Sequence, residues 1–313
     1  MSDIKFSHYS VLLNESIEGL AIKEDGIYID ATAGGGGHSL EIAKRLTTGK
    51  LIAIDRDDVA IEACRKRLAD YLDRVILVKS NFSNVQSIVE SLNIESVNGA
   101  IIDLGVSSCQ LDTAERGFSY MQNAPLDMRM DREDKLTAWD VVNTYSEAQL
   151  KEILYKYGEE NFAPRIAHSI VTKRMDKTID TTGELADIVR ASMPVKAAMA
   201  AGHPAKRTFQ AIRIEVNGEL DIIEPTVRAL SGILAPGGRL SVITFHSLED
   251  RIVKNTIADL SRGCVCPPDF PVCVCGRKPI MRAINKKPIL PSEKELSENS
   301  RSKSAKLRVA EKL

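Results

Sequence analysis

The sequence predicts an α/β protein, a doubly wound sheet interrupted by an inserted all-helical domain. Three observations carry this. Short apolar runs alternate with helical patterns from Gly26 to Asp103. The alternation then gives way to a polar, helical pattern between Leu111 and Pro204, and a long helical pattern followed by an apolar run brings it back. The 313 residues allow about two domains at the usual 100–200 residues each. With 43% apolar and 27% charged residues, the chain can bury an ordinary globular core.

Gly26 to Asp30 is the first strand, and a glycine cluster after it opens a helix from Ser39 to Leu46. Lys50 to Asp55 is a second strand of the buried type, followed by a helix from Asp58 to Leu72 with apolar residues at 3–4 spacing. Val75 to Lys79 and Gly99 to Asp103 add two strands on either side of a helix near Val85–Leu92. Continuous apolar runs joined by helices indicate a parallel sheet covered on both faces. Ligands of such sheets bind beyond the carboxyl ends of the strands, where Asp30, Asp55 and Asp103 stand.

Within the insert the pattern gives helices at 137–144, 147–157, 161–176 and 182–192. Ser146, with Gln149 three residues on, and Thr181 or Thr182 are the expected caps. After the insert come a helix from Phe209 to Leu234, a turn over 235–238 and a strand from Arg239 to Phe245. The Cys-, Pro-, Lys- and Ser-rich tail from Ser261 is expected to run over the surface before a last strand-like run, Lys306 to Ala310. The expected division is a sheet domain of residues 1–110 and 205–313 and an inserted domain of residues 111–204.

Four consecutive glycines, 34–37, let the backbone turn sharply and approach a ligand that a Cβ would repel. Amides at the helix start can face a carboxylate or phosphate. A dinucleotide site would want G-x-G-x-x-G, but Ser39 stands where the third glycine is required. A site for S-adenosylmethionine wants this glycine loop and a carboxylate at the end of the second strand, which Asp55 supplies. Since a nicotinamide site uses an acid there too, Asp55 alone does not decide. The segment Leu234-Ala-Pro-Gly-Gly-Arg-Leu240 favours the methyltransferase, because it resembles the stretch before the fifth strand of many class I enzymes. Phe82 after the third strand would face an adenine, or else pack in the core. Asp103 closes the fourth strand where a carboxylate would offset a sulfonium charge, and it can also cap the loop that follows.

From Asp103-Leu-Gly-Val-Ser-Ser-Cys-Gln-Leu-Asp112 onward the sequence becomes distinctive. With Arg116-Gly-Phe-Ser-Tyr120, Pro125-Leu-Asp-Met-Arg-Met130, the stretch His203–Arg213, Val216-Asn-Gly-Glu-Leu220, the stretch Phe245–Val253 and the stretch Arg301–Arg308, it resembles the MraW/RsmH family of ribosomal RNA cytosine-N4 methyltransferases. The likeness runs from His8 to the end. It implies a class I (Rossmann-like) methyltransferase sheet holding S-adenosyl-L-methionine, with a helical insert that recognises small-subunit ribosomal RNA, free or in the assembled small subunit. By position, the family's cofactor contacts fall on Gly36, Gly37, His38, Asp55, Phe82, Asp103 and Gln110. The many amino-methyltransferases that carry Asp/Asn-Pro-Pro-aromatic after the fourth strand differ here, since Asp103 is followed by Leu-Gly-Val. Asp103 and the carbonyls after it are the candidates to accept the N4 hydrogens, with Asp103 the candidate catalytic group.

The competing readings are weaker. Methylation at C5 needs a cysteine nucleophile, and Cys109 lacks the Pro-Cys context of such enzymes. A nicotinamide oxidoreductase is weakened by Ser39, and a binding factor without chemistry would not need the intact pocket residues. His203 and Arg207, before the sheet resumes, and His246 and Ser247, after the fifth strand, are candidate RNA contacts. Against this, an orienting hydrogen bond accounts for His246 equally well. Cys264, Cys266, Cys273 and Cys275 form C-V-C-x6-C-V-C, which can hold one Zn²⁺ through four thiolates, although the spacing differs from paired C-x2-C ribbons. The basic residues between Arg277 and Arg308 are the densest in the chain and are candidates for backbone phosphate, while a net charge of −1 gives no global nucleic-acid signature. Without a signal-peptide pattern or a bilayer-length apolar run, the expected location is the cytoplasm, with no membrane partner.

Overall fold

The structure is a computed structural model and describes residues 10–199, 203–267, 270 and 272–313. His8 and Tyr9, where the family resemblance begins, and residues 200–202 of the insert lie outside the described residues. In chain order the elements are α1 (Leu13–Leu20), β1 (Ile27–Asp30), α2 (Gly37–Arg45), β2 (Lys50–Asp55), α3 (Asp58–Arg67), β3 (Val75–Lys79), α4 (Val85–Ser91) and β4 (Val97–Asp103). Next come α5 (Ser108–Asp112), α6 (Ala138–Thr144), α7 (Glu147–Gly158), α8 (Ala163–Asp176), α9 (Thr182–Ser192), α10 (Val195–Ala198) and α11 (Lys206–Asn217). The chain ends with α12 (Ile223–Ile233), β5 (Leu234–Thr244), α13 (Ser247–Leu260), β6 (Met281–Ala283), α14 (Glu293–Glu298) and β7 (Lys306–Lys312). It divides into two compact units, one formed by the residues up to Gly105 together with Leu220–Leu313, the other by Val106–Glu219.

The first unit is a seven-stranded sheet in the order β3-β2-β1-β4-β5-β7-β6. The pairs β1–β2, β2–β3, β1–β4 and β4–β5 are parallel, whereas β7 is antiparallel to both β5 and β6. Side chains alternate across the sheet. Ile29, Ile52, Ile54, Ile102 and Val242 face a core completed by Val85, Ile88, Val227, Leu230, Val253 and Ile257 of α4, α12 and α13. Tyr28, Leu51, Ala53 and Ile101, one residue out of step, face Ile17 and Leu20 of α1, Ile42 of α2 and Cys64 of α3. Burial on both faces explains why these strands read as unbroken apolar runs. No described helix is long and apolar enough to cross a membrane.

The second unit is helical, with Val141, Leu154, Ile166, Ile170, Leu185, Phe209 and Ile212 fully or almost fully buried. Capping boxes start α6 (Thr137 with Asp140), α7 (Ser146 with Gln149) and α9 (Thr181 with Glu184). Two of the distinctive motifs meet at Asn217, whose amide donates to the Met128 carbonyl at 2.8 Å and accepts from the Met130 N–H at 2.7 Å. Arg116 donates to the carbonyls of Arg129 and Met130, both at 2.9 Å. Asn217 ties the irregular segment around Met128 to α11, which a helical pattern alone does not reveal.

Several expectations change. The helix predicted from Phe209 to Leu234 is two helices, because Gly218 takes the left-handed conformation (φ 58°) that ends α11. The buried face of α11 belongs to the helical unit, so that unit runs from Val106 to Glu219 rather than from 111 to 204. The four strands expected to be parallel are parallel, and β7 and β6 extend the sheet with antiparallel pairs. The tail, expected to run over the surface before a last strand, adds β6 and α14, and the expected strand forms as β7, paired with β5 in the sheet. In addition, β5 begins at Leu234 and absorbs the predicted turn, with a register irregularity opposite Val97 and Gly99.

Candidate active site

The carboxyl ends of β1, β2 and β4 carry Asp30, Asp55 and Asp103, and the glycine loop folds across them. Its backbone is tied down at Ala31, whose N–H donates to the Ile101 carbonyl at 2.9 Å, and at Ala33, which donates to Ile54 at 2.8 Å. Gly34 (φ 50°) and Gly36 (φ 77°) take left-handed conformations that lead into α2. A Cβ on Gly36 would lie 3.2 Å from the Cys64 sulfur, and one on Gly37 would collide with the Ser10 hydroxyl.

Asp55 receives the Gly34 N–H on one oxygen at 2.8 Å and the Asp57 N–H on the other at 2.9 Å. It thus organises the loop while keeping lone pairs for a ligand. Burial raises its affinity for protons despite these bonds. The Asp55 carbonyl accepts from the Ser80 N–H at 2.9 Å, which sets the turn carrying Asn81 and Phe82 beside it. Phe82 is partly buried and packs against the core beneath α12.

Asp30 is buried and holds the Ser39 hydroxyl at 2.6 Å and the Thr32 N–H at 3.2 Å, and burial pushes its carboxyl up to about 6. The glycine-to-serine departure at Ser39 therefore has a local purpose, that of hydrogen-bonding a buried acid. His38 is also buried, with Nε2 3.2 Å from the Val11 carbonyl, and burial pulls its ring down to about 4. Its Nδ1 lies 3.8 Å from an Asp103 oxygen, a contact between a neutral ring and an acid rather than an ion pair.

The Asp103 N–H donates to the Thr32 hydroxyl at 2.6 Å. Its side chain is 25% exposed, in a recess where Oδ1 is buried without a hydrogen-bond partner. Burial, then the neighbouring carboxylates of Asp30 and Glu249, hold this carboxyl well above the usual range. Glu249 was not singled out from the sequence, since nothing in it marks one acid of α13 as buried. It is 1% exposed, and it accepts from the N–H groups of Phe245 at 2.7 Å and His246 at 3.2 Å. His246 caps α13, its Nδ1 accepting from the Glu249 N–H at 3.4 Å, while Ser247 beside it is exposed. The site thus gathers the carboxyl groups of Asp30, Asp103 and Glu249 in one recess, where a bound cation would favour the ionised form of Asp103 that burial and its neighbours disfavour.

The remaining predicted residues belong to the helical unit. Gln110 is 4% exposed and closes a capping box on α5, its Oε1 accepting from Ser107 N–H at 3.0 Å. The His203 ring stacks on Tyr120 with centroids 4.3 Å apart, and Arg207 donates to the Glu159 carbonyl at 2.9 Å. In the tail, Arg277 pairs with Asp259, Arg282 with Glu311, and Lys306 and Arg308 with Asp250, so four of the predicted phosphate-binding cations are engaged within the fold.

A sheet in this strand order, with its last long strand reversed, a glycine loop after β1 and an acid ending β2, defines a class I methyltransferase. The family model described as the MraW methylase family matches residues 5–313, and the chain belongs to that family. It is 57% identical over 311 residues to "Ribosomal RNA small subunit methyltransferase H 2" of Agathobacter rectalis, covering 99% of each chain. It is 57% identical to "Ribosomal RNA small subunit methyltransferase H" of Clostridium botulinum, covering 99% of this chain and 100% of that one. The protein of that name from Brevibacillus brevis is 54% identical over 314 residues, with full coverage of both.

Proposed function

We propose that this enzyme transfers the methyl group of S-adenosyl-L-methionine to the exocyclic N4 of a cytosine in small-subunit ribosomal RNA, in the cytoplasm. The observation that carries the reading is the Asp103 recess, whose buried, unpartnered carboxylate oxygen suits a positively charged methyl donor. When bound, the donor supplies an electrophilic methyl carbon on a sulfonium. Gly36 and Gly37 keep the loop free of side chains, Asp55 accepts hydroxyl hydrogens, and Phe82 offers an aromatic edge. By the family resemblance, Gln110 is the candidate to supply an amide to the methionine end or to the target.

In the transfer the N4–carbon bond would form as the carbon–sulfur bond breaks, releasing S-adenosylhomocysteine, and the proton lost from N4 would pass to Asp103 or to water. The cytosine amine is a poor nucleophile because its lone pair is delocalised into the ring. Alignment and exclusion of water therefore supply most of the acceleration. Asp103 and the carbonyls after it accept the N4 hydrogens and help the nitrogen to pyramidalise. The base has to leave its stack to reach the site. His203 and Arg207 of the helical unit are candidate RNA contacts, and His246 and Ser247 of the sheet unit are separate candidates.

The test is methyl transfer from labelled S-adenosylmethionine to small subunits and to free small-subunit RNA, followed by nucleoside analysis. N4-methylated cytidine is expected, and Cys109→Ser should retain it, because no covalent intermediate is needed. A C5-methylated product, or a protein–RNA adduct lost in Cys109→Ser, would overturn the reading.

A further inference from the structure

Between α13 and β6 the chain makes a loop that the methyl-transfer site does not use. It holds Cys264, Cys266, Cys273 and Cys275, all free thiols. Pro268, Asp269 and Pro271 of this loop lie outside the described residues. The four sulfurs lie within 4.8 Å of one another, Cys275 being 3.6 Å from Cys273 and 3.7 Å from Cys264. Four sulfurs about 2.3 Å from one tetrahedral ion stand about 3.8 Å apart, so the spacing is that of a single-ion tetrathiolate.

Backbone amides point at three of the four sulfurs. Val265 N–H donates to Cys275 at 3.4 Å, Cys266 N–H to Cys264 at 3.4 Å and Val274 N–H to Cys266 at 3.3 Å. Such donors favour thiolates and orient them, as partners around metal ligands do. Among its described residues the loop lacks a core of its own, since Val265, Phe270, Val272 and Val274 are between 42% and 74% exposed. Apolar packing does not hold four cysteines together here, and a bound ion would supply the missing cross-link.

We propose that these four cysteines bind one Zn²⁺ and that the ion folds the loop. Thiolates exclude the hard cations Mg²⁺ and Ca²⁺. The compact sulfur set fits one ion rather than a multi-iron cluster, and a divalent N/O/S site takes zinc over iron(II). The site stands apart from the methyl-transfer chemistry, so its test does not depend on the function proposed above.

The full-length protein, purified under reducing conditions, should carry about one zinc per chain by elemental analysis and native mass spectrometry. Protein stripped by a chelator and titrated with Co²⁺ should develop the charge-transfer and ligand-field bands of a tetrahedral tetrathiolate, saturating at one equivalent and bleaching on addition of Zn²⁺. Cys264→Ser and Cys275→Ser, on opposite arms of the loop, should each abolish those bands, while Cys109→Ser should leave them unchanged. Circular dichroism should confirm that the serine variants keep the sheet and helices. Bound iron in place of zinc, cobalt spectra of octahedral oxygen ligation, or thiols equally reactive with and without Zn²⁺ would each overturn the assignment.

Discussion

Asp30 and His38 are buried eight residues apart, and each resists its charge: burial moves the acid up to about 6 and the imidazole down to about 4. At about 1.4 kcal/mol per pH unit, each displacement is worth roughly 3 kcal/mol. The signs oppose. The raised Asp30 gives stability that is full below its unfolded value of 3.8 and is lost as pH rises through about 6. The lowered His38 gives stability that is full above 6.5 and is lost as pH falls through about 4. Denaturant unfolding of variants at intervals between pH 4 and 7 should separate them, because differences from wild type cancel the groups that do not interact with these two. Asp30→Asn should gain on wild type as pH rises, and His38→Gln should lose ground over the same window. Parallel curves would show that neither ring nor carboxyl is as desolvated as its burial implies. The sequence marks both residues only as positions near a glycine loop, because desolvation depends on what α1 and Val11 bring over them from elsewhere in the chain.

Helix starts differ in how far they can be read from sequence. Ser146 with Gln149 and Thr181 with Glu184 follow the familiar S/T-x-x-E/Q pattern, and both caps form. The start of α13 follows the same logic with His246 as the cap and Glu249 as its partner, and histidine is not a preferred capping residue, so the box is hidden in the sequence. Glu249 also satisfies two backbone donors. Glu249→Ala should therefore cost about 2–4 kcal/mol of unfolding free energy, by leaving buried N–H groups unpaired. Glu249→Gln keeps an acceptor oxygen and should cost clearly less. Equal losses in the two variants would mean that packing rather than hydrogen bonding sets the role of this residue. The break between α11 and α12 was signalled by Gly218, but the apolar period continues across it and favours one long helix. Lys306–Ala310 was legible as a strand from its apolar run. Its place beside β5 was not, since that pairing joins residues about 70 apart.

For the whole molecule, the strands of the first unit carry the glycine loop and the acids proposed to hold the donor, and the second unit carries most of the distinctive motifs. This division predicts two kinds of loss. Asp55→Ala removes hydrogen bonds from a charged acceptor to the donor, worth roughly 1.5–3 kcal/mol, so affinity for S-adenosylmethionine should fall about 10- to 150-fold while the fold survives. Lys206 begins α11 in an exposed position and makes no ion pair among the described residues, unlike the tail cations bound to Asp250, Asp259 and Glu311. A cation so placed is available to RNA phosphate. Lys206→Glu should weaken RNA binding, reduce the slope of its salt dependence by about one, and leave donor affinity unchanged. If the two units divide the labour in this way, the effects on methyl transfer at limiting concentrations of both substrates should add in the double variant to within about 0.5 kcal/mol. Calorimetry with the donor and single-turnover methylation of small-subunit RNA on all four proteins complete the cycle. A larger coupling, or a tenfold change in donor affinity in Lys206→Glu, would show that donor and RNA are bound by one interdependent surface.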